Sequence, residues 1–373
     1  MKFTINRKSF YNSLLTVARA ISTFSPIPAL SGINLEVKPE KILLTGSDAD
    51  VSIKTVILPD EDNDLNIIST GSVVLESRYL VEIVKKIDSE LIEVELGEAQ
   101  LVSIKSDHGK FVLNGIESSE YPDIDFTRPQ QSFTIANQTL KTIIEQTVFA
   151  CSTNVQRPVL TGVNFEATDG KLYCSATDSY RMAQKVIPLD SIDTNFKVTV
   201  PSKALHELVK TFNENDEVKV FVDTKKIQFI SSKVMFQSRL LEGTYPNVHS
   251  IIPNSSVASL KTDSKELEDV VGRTDFIKND KLHLVKMVCS ESETHIMTNS
   301  TEIGNSDEKL SSGVYSGEEL NLTFNGTFLV DAVKALGGSQ AQIDFMGLAK
   351  PAKITNPEDN SVVMVIVPVR SYD

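Results

Sequence analysis

Short segments in which apolar and polar residues alternate dominate the chain. The clearest examples are Ile33, Leu35 and Val37; Val51, Ile53 and Ile57; Ile92, Val94 and Leu96; and Phe111 with Leu113. Because successive side chains of a strand point to opposite faces, this period of two predicts half-buried antiparallel strands.

Only two stretches in each third of the chain show helical spacing. In the first third, apolar residues recur three and four positions apart from Phe10 to Ile21 and again from Leu80 to Ile87. This spacing gives a helix one apolar face. Ser9 and Ser77 stand where N-caps belong. We expect six helices, at 9–20, 77–87, 138–150, 202–212, 264–274 and 326–336.

The chain repeats itself three times. The copies open with Met1-Lys-Phe-Thr-Ile-Asn, Ser132-Phe-Thr-Ile-Ala-Asn and Ala258-Ser-Leu-Lys-Thr-Asp. Leu30-Ser-Gly-Ile-Asn similarly matches Leu160-Thr-Gly-Val-Asn, and the first two copies close near a Tyr-Pro pair. A repeat of this length fixes architecture before any single motif does. We therefore predict three domains, at 1–127, 128–253 and 254–373.

Each predicted helix follows one strand and precedes several more. One copy is therefore predicted to hold two βαβββ units, with helices covering one side of antiparallel sheets, and the fold class is α+β. Three such domains form either a linear array or an arc that a second chain closes. The repetition alone leaves both arrangements open.

Composition and charge limit the classes of function. Hydrophobic residues make up 40% and charged residues 23% of the chain, no apolar run is long enough to span a membrane, and no signal peptide is visible at the start. Cys151, Cys174 and Cys289 share no CxxC spacing, so we expect free thiols and a cytoplasmic protein. The net charge of −13 argues against attraction of the whole surface to nucleic acid. Any DNA contact therefore needs a local basic surface.

Motifs for catalysis, cofactors and metals are missing from the sequence. The five histidines show no metal-ligand spacing, so we expect no cofactor and no metal. Asp178 beside Arg181 fits an ion pair better than a general base. Two other classes stay open on these grounds: a β-rich hydrolase or transferase whose site follows no known motif, and a monomeric repeat scaffold that binds only proteins.

Longer motifs occur in a fixed order along the whole chain. They are Met1-Lys-Phe, Gln156-Arg-Pro-Val-Leu-Thr-Gly, Ala176-Thr-Asp-Ser-Tyr-Arg-Met-Ala, Val200-Pro-Ser-Lys-Ala-Leu, Glu242-Gly-Thr-Tyr-Pro, Phe324-Asn and Val367-Pro-Val-Arg. On these residues the chain resembles the β subunit of bacterial DNA polymerase III, the β sliding clamp family. The resemblance implies three tandem clamp domains and a head-to-tail homodimer, a ring with helices inside and sheets outside. It also implies a non-catalytic processivity factor that encircles double-stranded DNA without sequence preference.

The resemblance implies a set of partners as well. A clamp loader complex would open and close the ring, and the α subunit of the replicative polymerase would be tethered by it. Repair polymerases, ligase and mismatch-repair proteins would use the same binding surface. The place of action would be the replication fork in the nucleoid, with no membrane partner.

The predicted helices are less acidic than the rest of the chain. They carry ten Lys or Arg and seven Asp or Glu, a net charge of +3, which leaves −16 elsewhere. This suits helices that face phosphates, although Lys and Arg are also good helix formers on solvated faces. The loop Ser22-Thr-Phe-Ser lacks the arginine that some relatives carry. By resemblance, the DNA-contact positions are Arg78, Arg157, Lys203, Asn325 and Phe328.

The C-terminal apolar run from Ser361 to Arg370 predicts a last strand in the third domain. Pro368 cannot donate a ladder hydrogen bond, so the strand should end near it and leave the last apolar residues near the surface. By resemblance, this tail and the second domain form a hydrophobic cleft for short peptides. The matching positions are Leu160, Thr177, Tyr180, Arg181, Met182, Pro246, Ile251, Val365, Ile366, Val367, Pro368, Val369 and Arg370. Tyr180 and Met182 stand where relatives frequently carry His and Leu.

The resemblance also locates the contact between the two chains of the dimer. It places the end of the first domain against the start of the third domain of the partner chain. The matching residues are Phe111 and Leu113 on one side and Phe276 and Ile277 on the other.

Overall fold

Six α-helices lie in the part of the chain that the computed structural model describes, namely residues 1–22, 24–189, 195–277 and 282–369. Each begins within two residues of its predicted start. They are α1 (Arg7–Ala18), α2 (Ser77–Lys86), α3 (Asn137–Thr147), α4 (Ser202–Leu208), α5 (Ser264–Arg273) and α6 (Gly326–Leu336).

Strands make up most of the remaining structure. Those up to residue 116 are β1 (Lys2–Asn6), β2 (Gly32–Lys38), β3 (Lys41–Ser47), β4 (Val51–Ile57), β5 (Asn66–Ser69), β6 (Gly71–Glu76), β7 (Leu91–Leu96), β8 (Leu101–Lys105) and β9 (Lys110–Ile116). The next are β10 (Gln131–Ala136), β11 (Gly162–Thr168), β12 (Lys171–Thr177), β13 (Arg181–Pro188), β14 (Phe196–Pro201), β15 (Glu217–Val222), β16 (Lys226–Ile230) and β17 (Val234–Arg239). The last are β18 (Ala258–Asp263), β19 (Leu284–Cys289), β20 (Thr294–Ser300), β21 (Gly304–Lys309), β22 (Val314–Gly317), β23 (Leu320–Asn325), β24 (Gln340–Phe345), β25 (Ala352–Asn356) and β26 (Asp359–Ile366).

The order of these elements confirms the predicted βαβββ units. Each helix follows a strand and leads into three more, and only the short strands β5 and β22 stand outside this scheme. The alternation predicted for β2 is also confirmed, because Ile33, Leu35 and Val37 are buried while Glu36 between them is half exposed. The period of two therefore predicted the inward face of β2 correctly.

Each copy of the repeat contains two βαβββ units, which we call its halves. The first strand of each half pairs with strands of the other half. β1 pairs with β7 and β6 pairs with β2, and the same exchange recurs as β10 with β15, β14 with β11, β18 with β24 and β23 with β19. Because each half supplies a strand that the other half needs, neither half has a complete sheet alone.

One compact unit comprises residues 1–140 and 203–240. Its thirteen-stranded sheet has the order β10-β15-β16-β17-β4-β3-β2-β6-β9-β8-β7-β1-β5. α1 packs against α2 and against β3 and β4. The core of this packing includes Phe10, Leu14 and Val17 of α1, all fully buried.

A second compact unit comprises the described residues of 141–202 and 241–373. It contains a nine-stranded sheet of order β14-β11-β12-β13-β26-β25-β24-β18-β22 and a four-stranded sheet of order β21-β20-β19-β23. α5 packs against α6, and α6 also covers β25 and β26.

Two strand pairings join segments that the sequence assigns to different predicted domains. β17 pairs with β4 and β26 pairs with β13, both antiparallel. Backbone hydrogen bonds therefore continue across the predicted boundaries near residues 127 and 253. The domain limits themselves stay a prediction.

The predicted N-caps at Ser9 and Ser77 are wrong. α1 begins two residues earlier because Asn6 follows β1 directly, and its Oδ1 accepts hydrogen bonds from the backbone N–H groups of Lys8 and Ser9. Ser9 thus lies inside the helix. α2 begins at Ser77 itself, and its N-cap residue Glu76 makes no side-chain capping bond. A cap requires a side-chain oxygen one residue before the helix, and a shift of one or two residues removes that geometry.

The three cysteines are free and buried, as the sequence predicts. Burial raises the pKa of the Cys151 thiol to about 12, against an opposing effect of the nearby Arg181. Among the described residues, no helix is long and apolar enough to span a membrane, and no cluster of His, Cys, Asp or Glu could hold a metal ion.

Candidate functional site

An apolar cluster forms where β13 pairs with β26. The register places Met182 opposite Val365 and Arg181 opposite Ile366. Leu160, Met182 and Val365 pack together with Tyr245 and Val248 in one buried group. The structure thus brings together three of the predicted cleft residues, from three separate parts of the chain.

Tyr245 and Val248 were missed at the sequence level. Tyr245 is part of the Glu242-Gly-Thr-Tyr-Pro motif and Val248 follows it, and we used this motif only to mark the end of a repeat and to support the resemblance. Tyr245 holds the floor of the cluster in place because its hydroxyl accepts a hydrogen bond from the Thr177 backbone N–H at 3.0 Å. Burial raises the pKa of Tyr245 well above its usual value of 10, so the phenol stays neutral.

A rim of exposed apolar side chains surrounds this buried floor. Tyr180 is 66% exposed, Ile251 41% and Val367 37%. Pro246, Pro368 and Val369 are half-buried. Large apolar side chains left in water beside a buried apolar floor are typical of a binding surface.

The C-terminal tail follows the rim through main-chain bonds. β26 ends at Ile366, two residues before Pro368, as the proline predicts. The Val367 N–H then donates to the Tyr180 carbonyl at 2.9 Å, and the Val369 N–H donates to the Thr323 carbonyl at 2.7 Å. Ile366 is buried, so it contributes to the core. Arg370 lies outside the described residues.

Arg181 is held by two carboxylates. Its Nε lies 3.0 Å from Asp178 and its Nη1 lies 2.7 Å from Asp331 on α6, and its guanidinium covers the Phe328 ring at 4.2 Å. The predicted pairing of Asp178 with Arg181 is therefore confirmed. Because these groups are largely buried, Arg181 ties the rim of the cluster to the start of α6.

Most of the predicted DNA-contact residues lie at the first turns of helices. Arg78 is the second residue of α2 and Lys203 the second residue of α4. Positive charge at a helix N-terminus is unfavourable, by about 0.3–1 kcal/mol, because of the helix dipole. The exposed Lys203 ammonium lies 3.7 Å from the Asp48 carboxylate, and the Arg78 guanidinium donates a hydrogen bond to the Tyr79 hydroxyl. Helix stability therefore does not explain why basic residues stand at these two positions.

Arg157 and Phe328 have different surroundings. Arg157 is exposed on the loop before the 3-10 helix Pro158–Thr161, and its Nη1 donates to the Ser179 hydroxyl at 3.2 Å. Phe328 is half-buried under the Arg181 guanidinium. Its packing accounts for the aromatic ring without a DNA contact.

Asn325 is the N-cap of α6. Its Oδ1 accepts hydrogen bonds from the backbone N–H groups of Thr327, at 3.0 Å, and Phe328, at 3.4 Å. This is a structural reason for the residue that is independent of DNA. The capping role of Asn325 can therefore be tested by substitution without DNA.

We expect Asn325→Ala to lower the free energy of unfolding by about 1 kcal/mol, because the cap is lost. Asn325→Asp keeps an oxygen acceptor and should stay within about 0.5 kcal/mol of the parent. Urea unfolding followed by circular dichroism measures both, with the exposed Asn321→Ala on β23 as the matched control. Equal stability of Asn325→Ala and the control would show that the cap contributes nothing.

The observed helices keep the charge balance that the sequence predicted. With the helix limits of the structure they again carry ten basic and seven acidic residues. Several of the bases are paired along their own helix, such as Lys86 with Glu82 at 3.2 Å and Lys265 with Asp269 at 2.9 Å. These exposed pairs are weak and screened by salt, so the surplus of +3 remains the relevant quantity.

The predicted dimer residues differ in exposure. Phe111 and Val112 on β9 are exposed and Leu113 is half exposed, so the half-buried strand predicted there is wrong for Phe111. Phe276 is 66% exposed, whereas Ile277 is buried within its own chain. A partner chain could therefore contact Phe276 far better than Ile277.

Two strand edges accompany these residues. Residues 110–114 of β9 pair with β8 on one side, while only Gly115 and Ile116 pair with β6 on the other. β21 is one of the two outer strands of the four-stranded sheet, the other being β23. Open edges of this kind are templates for pairing with another chain.

Comparisons with known proteins identify the relatives of the chain. Three models of the DNA polymerase III β subunit match it: the N-terminal domain over residues 1–125, the central domain over 134–247 and the C-terminal domain over 249–370. The chain is 36% identical over 379 residues to the β sliding clamp of Bacillus subtilis (strain 168), with all of both chains covered. It is 33% identical over 376 residues to the β sliding clamp of Staphylococcus aureus, again with complete coverage of both.

Solved structures agree with these matches. The crystal structure of the DNA polymerase sliding clamp from Bacillus subtilis has a TM-score of 0.96 at 35% identity, with all of both chains covered. The β subunit from the DNA polymerase of Streptococcus pyogenes has a TM-score of 0.95 at 31% identity, also with complete coverage.

Proposed function

Because this chain belongs to the family of DNA polymerase III β subunits, the β sliding clamps, we propose that it encircles duplex DNA and tethers a polymerase to it. The family is the non-catalytic processivity subunit of the polymerase, and three tandem clamp domains make up the chain. The observation that carries the proposal is the match of three family models in order along the chain. The hydrolase, transferase and scaffold alternatives have no comparable support.

The proposed ring is a head-to-tail homodimer of three-domain chains, with domains at 1–127, 128–253 and 254–373. The exposed Phe111 and Val112 beside the open edge of β9 support one half of the interface. The exposed Phe276 and the outer strand β21 support the other half. Pairing of the two edges would continue the sheets from one chain into the next.

Duplex DNA would pass the helices without sequence preference. The surplus of basic residues on the helices, with Arg78 and Lys203 at helix N-termini, supports weak attraction to phosphates. A chain with a net charge of −13 would be held mainly by closure of the ring. Weak contacts of this kind permit sliding, because the contacts do not read base edges.

The apolar cluster at the junction of β13 and β26 is the proposed docking site for partner peptides. Its buried floor gives an apolar base for a peptide anchor, and Tyr180, Ile251 and Val367 give an apolar rim. The partners are the polymerase α subunit, the clamp loader, repair polymerases, ligase and mismatch-repair proteins. The expected place of action is the replication fork in the cytoplasmic nucleoid.

The test of this site replaces exposed rim residues, because substitutions in the buried floor would also disturb the fold. Ile251→Asp with Val367→Asp should weaken binding of a labelled clamp-binding peptide from the polymerase α subunit by at least about thirtyfold, or roughly 2 kcal/mol. An apolar peptide would remove water from the two new carboxylates on the rim without offering them a hydrogen-bond or ion-pair partner. Fluorescence anisotropy measures the affinity.

Leu348→Asp is the matched control, since Leu348 is equally apolar and 67% exposed. It should leave peptide affinity unchanged. Unaltered affinity of the rim variant, with unchanged thermal unfolding, would show that the peptide binds elsewhere.

A further inference from the structure

A second groove lies in the first unit, where β4 pairs with β17. Its register places Ser52 opposite Gln237 and Val51 opposite Ser238. The junction of β13 and β26 pairs Met182 with Val365 in the same way, 130 residues later on one strand and 128 later on the other. The groove is a cavity of about 380 Å³ with charged residues on its rim, namely Asp123, Asp125, Lys225 and Lys226.

The backbone of the two grooves is the same in detail. Ala49 and Ser179 occupy corresponding turns, and both adopt a positive φ, 78° and 83°, which is rare for residues other than glycine. The preceding Asp48 and Asp178 each accept two backbone hydrogen bonds across this turn. A strained turn retained in both copies indicates the same local framework.

The strand that closes each groove is attached in the same way. The Arg239 N–H donates to the Asp50 carbonyl at 2.9 Å, as the Val367 N–H does to the Tyr180 carbonyl at 2.9 Å. The backbone that would run beside a bound peptide therefore has an equivalent position in both grooves.

One wall is also duplicated. The 3-10 helix Pro28–Ser31 corresponds to Pro158–Thr161, and each is closed by a hydroxyl that donates to the proline carbonyl at 2.7 Å. Leu30 and Tyr121 form a buried apolar floor, as Leu160 and Tyr245 do in the other groove.

Besides the charged rim, the two grooves differ in four side chains at the junction of the paired strands. Where one has Tyr180, Met182, Val365 and Val367, the other has Asp50, Ser52, Gln237 and Arg239. The apolar anchors of a peptide would meet polar and charged groups there. Burying an uncompensated charge or amide beneath an apolar side chain is unfavourable.

We infer that the groove at the junction of β4 and β17 is a latent peptide-docking site, which Asp50, Ser52, Gln237 and Arg239 close to apolar peptides. These four positions restrict each chain to one docking position. The inference rests on the proposed function, because it takes the junction of β13 and β26 as the peptide site. Specificity then arises from unfavourable groups at one site as much as from favourable contacts at the other.

The unit can accept apolar residues at the two least exposed positions. Ser52 bonds to the Ser47 hydroxyl at 2.8 Å, but that hydroxyl also donates to the Val51 carbonyl and accepts from the Ala49 N–H. Thr177 makes the same two backbone bonds beside Met182. Gln237 accepts from the Gln228 Nε2, which retains the Thr127 carbonyl as a partner.

The test grafts the apolar set into the latent groove as Asp50→Tyr, Ser52→Met, Gln237→Val and Arg239→Val. Isothermal titration with the polymerase α-subunit peptide should show one site per chain in the parent and two in the grafted variant. The second site should bind within about tenfold of the first, because the floor and main chain are equivalent. A folded graft that still binds one peptide overturns the inference.

A second background separates this inference from the proposed function. In Ile251→Asp with Val367→Asp, the parent groove should bind no peptide, and the graft should bind one. Peptide binding that survives in this background without the graft contradicts the proposed site. The inference is then judged by whether the graft adds one further peptide to the number bound without it. If the fourfold graft unfolds early by circular dichroism, the milder set Asp50→Ala, Ser52→Met, Gln237→Val and Arg239→Ala serves instead, because it still removes both charges. Absence of added binding in that folded variant also overturns the inference.

Discussion

Protein loaded onto closed circular duplex DNA is expected to stay bound at about 1 M salt, where the Debye length is about 3 Å, and to leave when the circle is cut. Salt at this level defeats contacts between exposed charges, so electrostatic attraction alone would release the protein from both forms. A closed ring has no route off a circle but can slide off an end. The dissociation rate should rise at least about tenfold on linearisation.

Gel filtration of labelled protein on nicked plasmid, before and after a single restriction cut, measures this difference. Linear DNA with bulky protein blocks at both ends is the control, and it should retain the protein like the circle does. Equal loss from the circle and the unblocked linear form at every salt concentration would contradict encirclement. It would instead support a scaffold held by charge.

Phe111→Asp with Phe276→Asp should convert the proposed dimer into a folded monomer, weakening association at least about a hundredfold, or roughly 2.7 kcal/mol. Both side chains are exposed in the single chain, so the substitutions cost little in folding. Ile277 is unsuitable because it is buried in its own chain, where an aspartate would destabilise the fold. Sedimentation equilibrium should give a mass near 41.1 kDa, and the parent near twice that value.

Phe24→Asp is the matched control for the dimer. Phe24 is the most exposed phenylalanine among the described residues, at 91%, and belongs to neither β9 nor β21. That variant should remain a dimer and remain on circular DNA. A double variant that stays dimeric would show that the interface lies elsewhere, and a monomer that stays on the circle would contradict closure by a second chain.

The cleft illustrates how far sequence reasoning reached. Resemblance selected Leu160, Met182 and Val365, and the structure packs them together, but Tyr245 and Val248 were missed. Tyr245 belongs to the Tyr-Pro pair that we used as a repeat marker, and Val248 gave no signal of its own, because a single apolar residue after such a turn looks like any core residue. Arg181 and Ile366 were selected as lining, yet one is held by two carboxylates and the other is buried.

The sequence by itself determined the six helices and the type and order of the strands in each βαβββ unit, but not the short additional strands β5 and β22. Alternation and helical spacing are local properties, so β2 and α6 were located from the side chains within each segment. The internal repeat, with its interval near 130, determined that each pattern would occur three times.

Only the tertiary structure decided which strands pair and which apolar faces stay in water. The exchange of β1 and β6 between half-repeats, and the pairing of β4 with β17, depend on segments far apart along the chain. The same alternation describes Ile33 in the core and Phe111 in solvent, because burial depends on what covers a face and not on the pattern within the strand. The two grooves likewise share one backbone framework, and a strand far away in the sequence supplies part of the difference between them, because β17 brings Gln237 to one groove where β26 brings Val365 to the other.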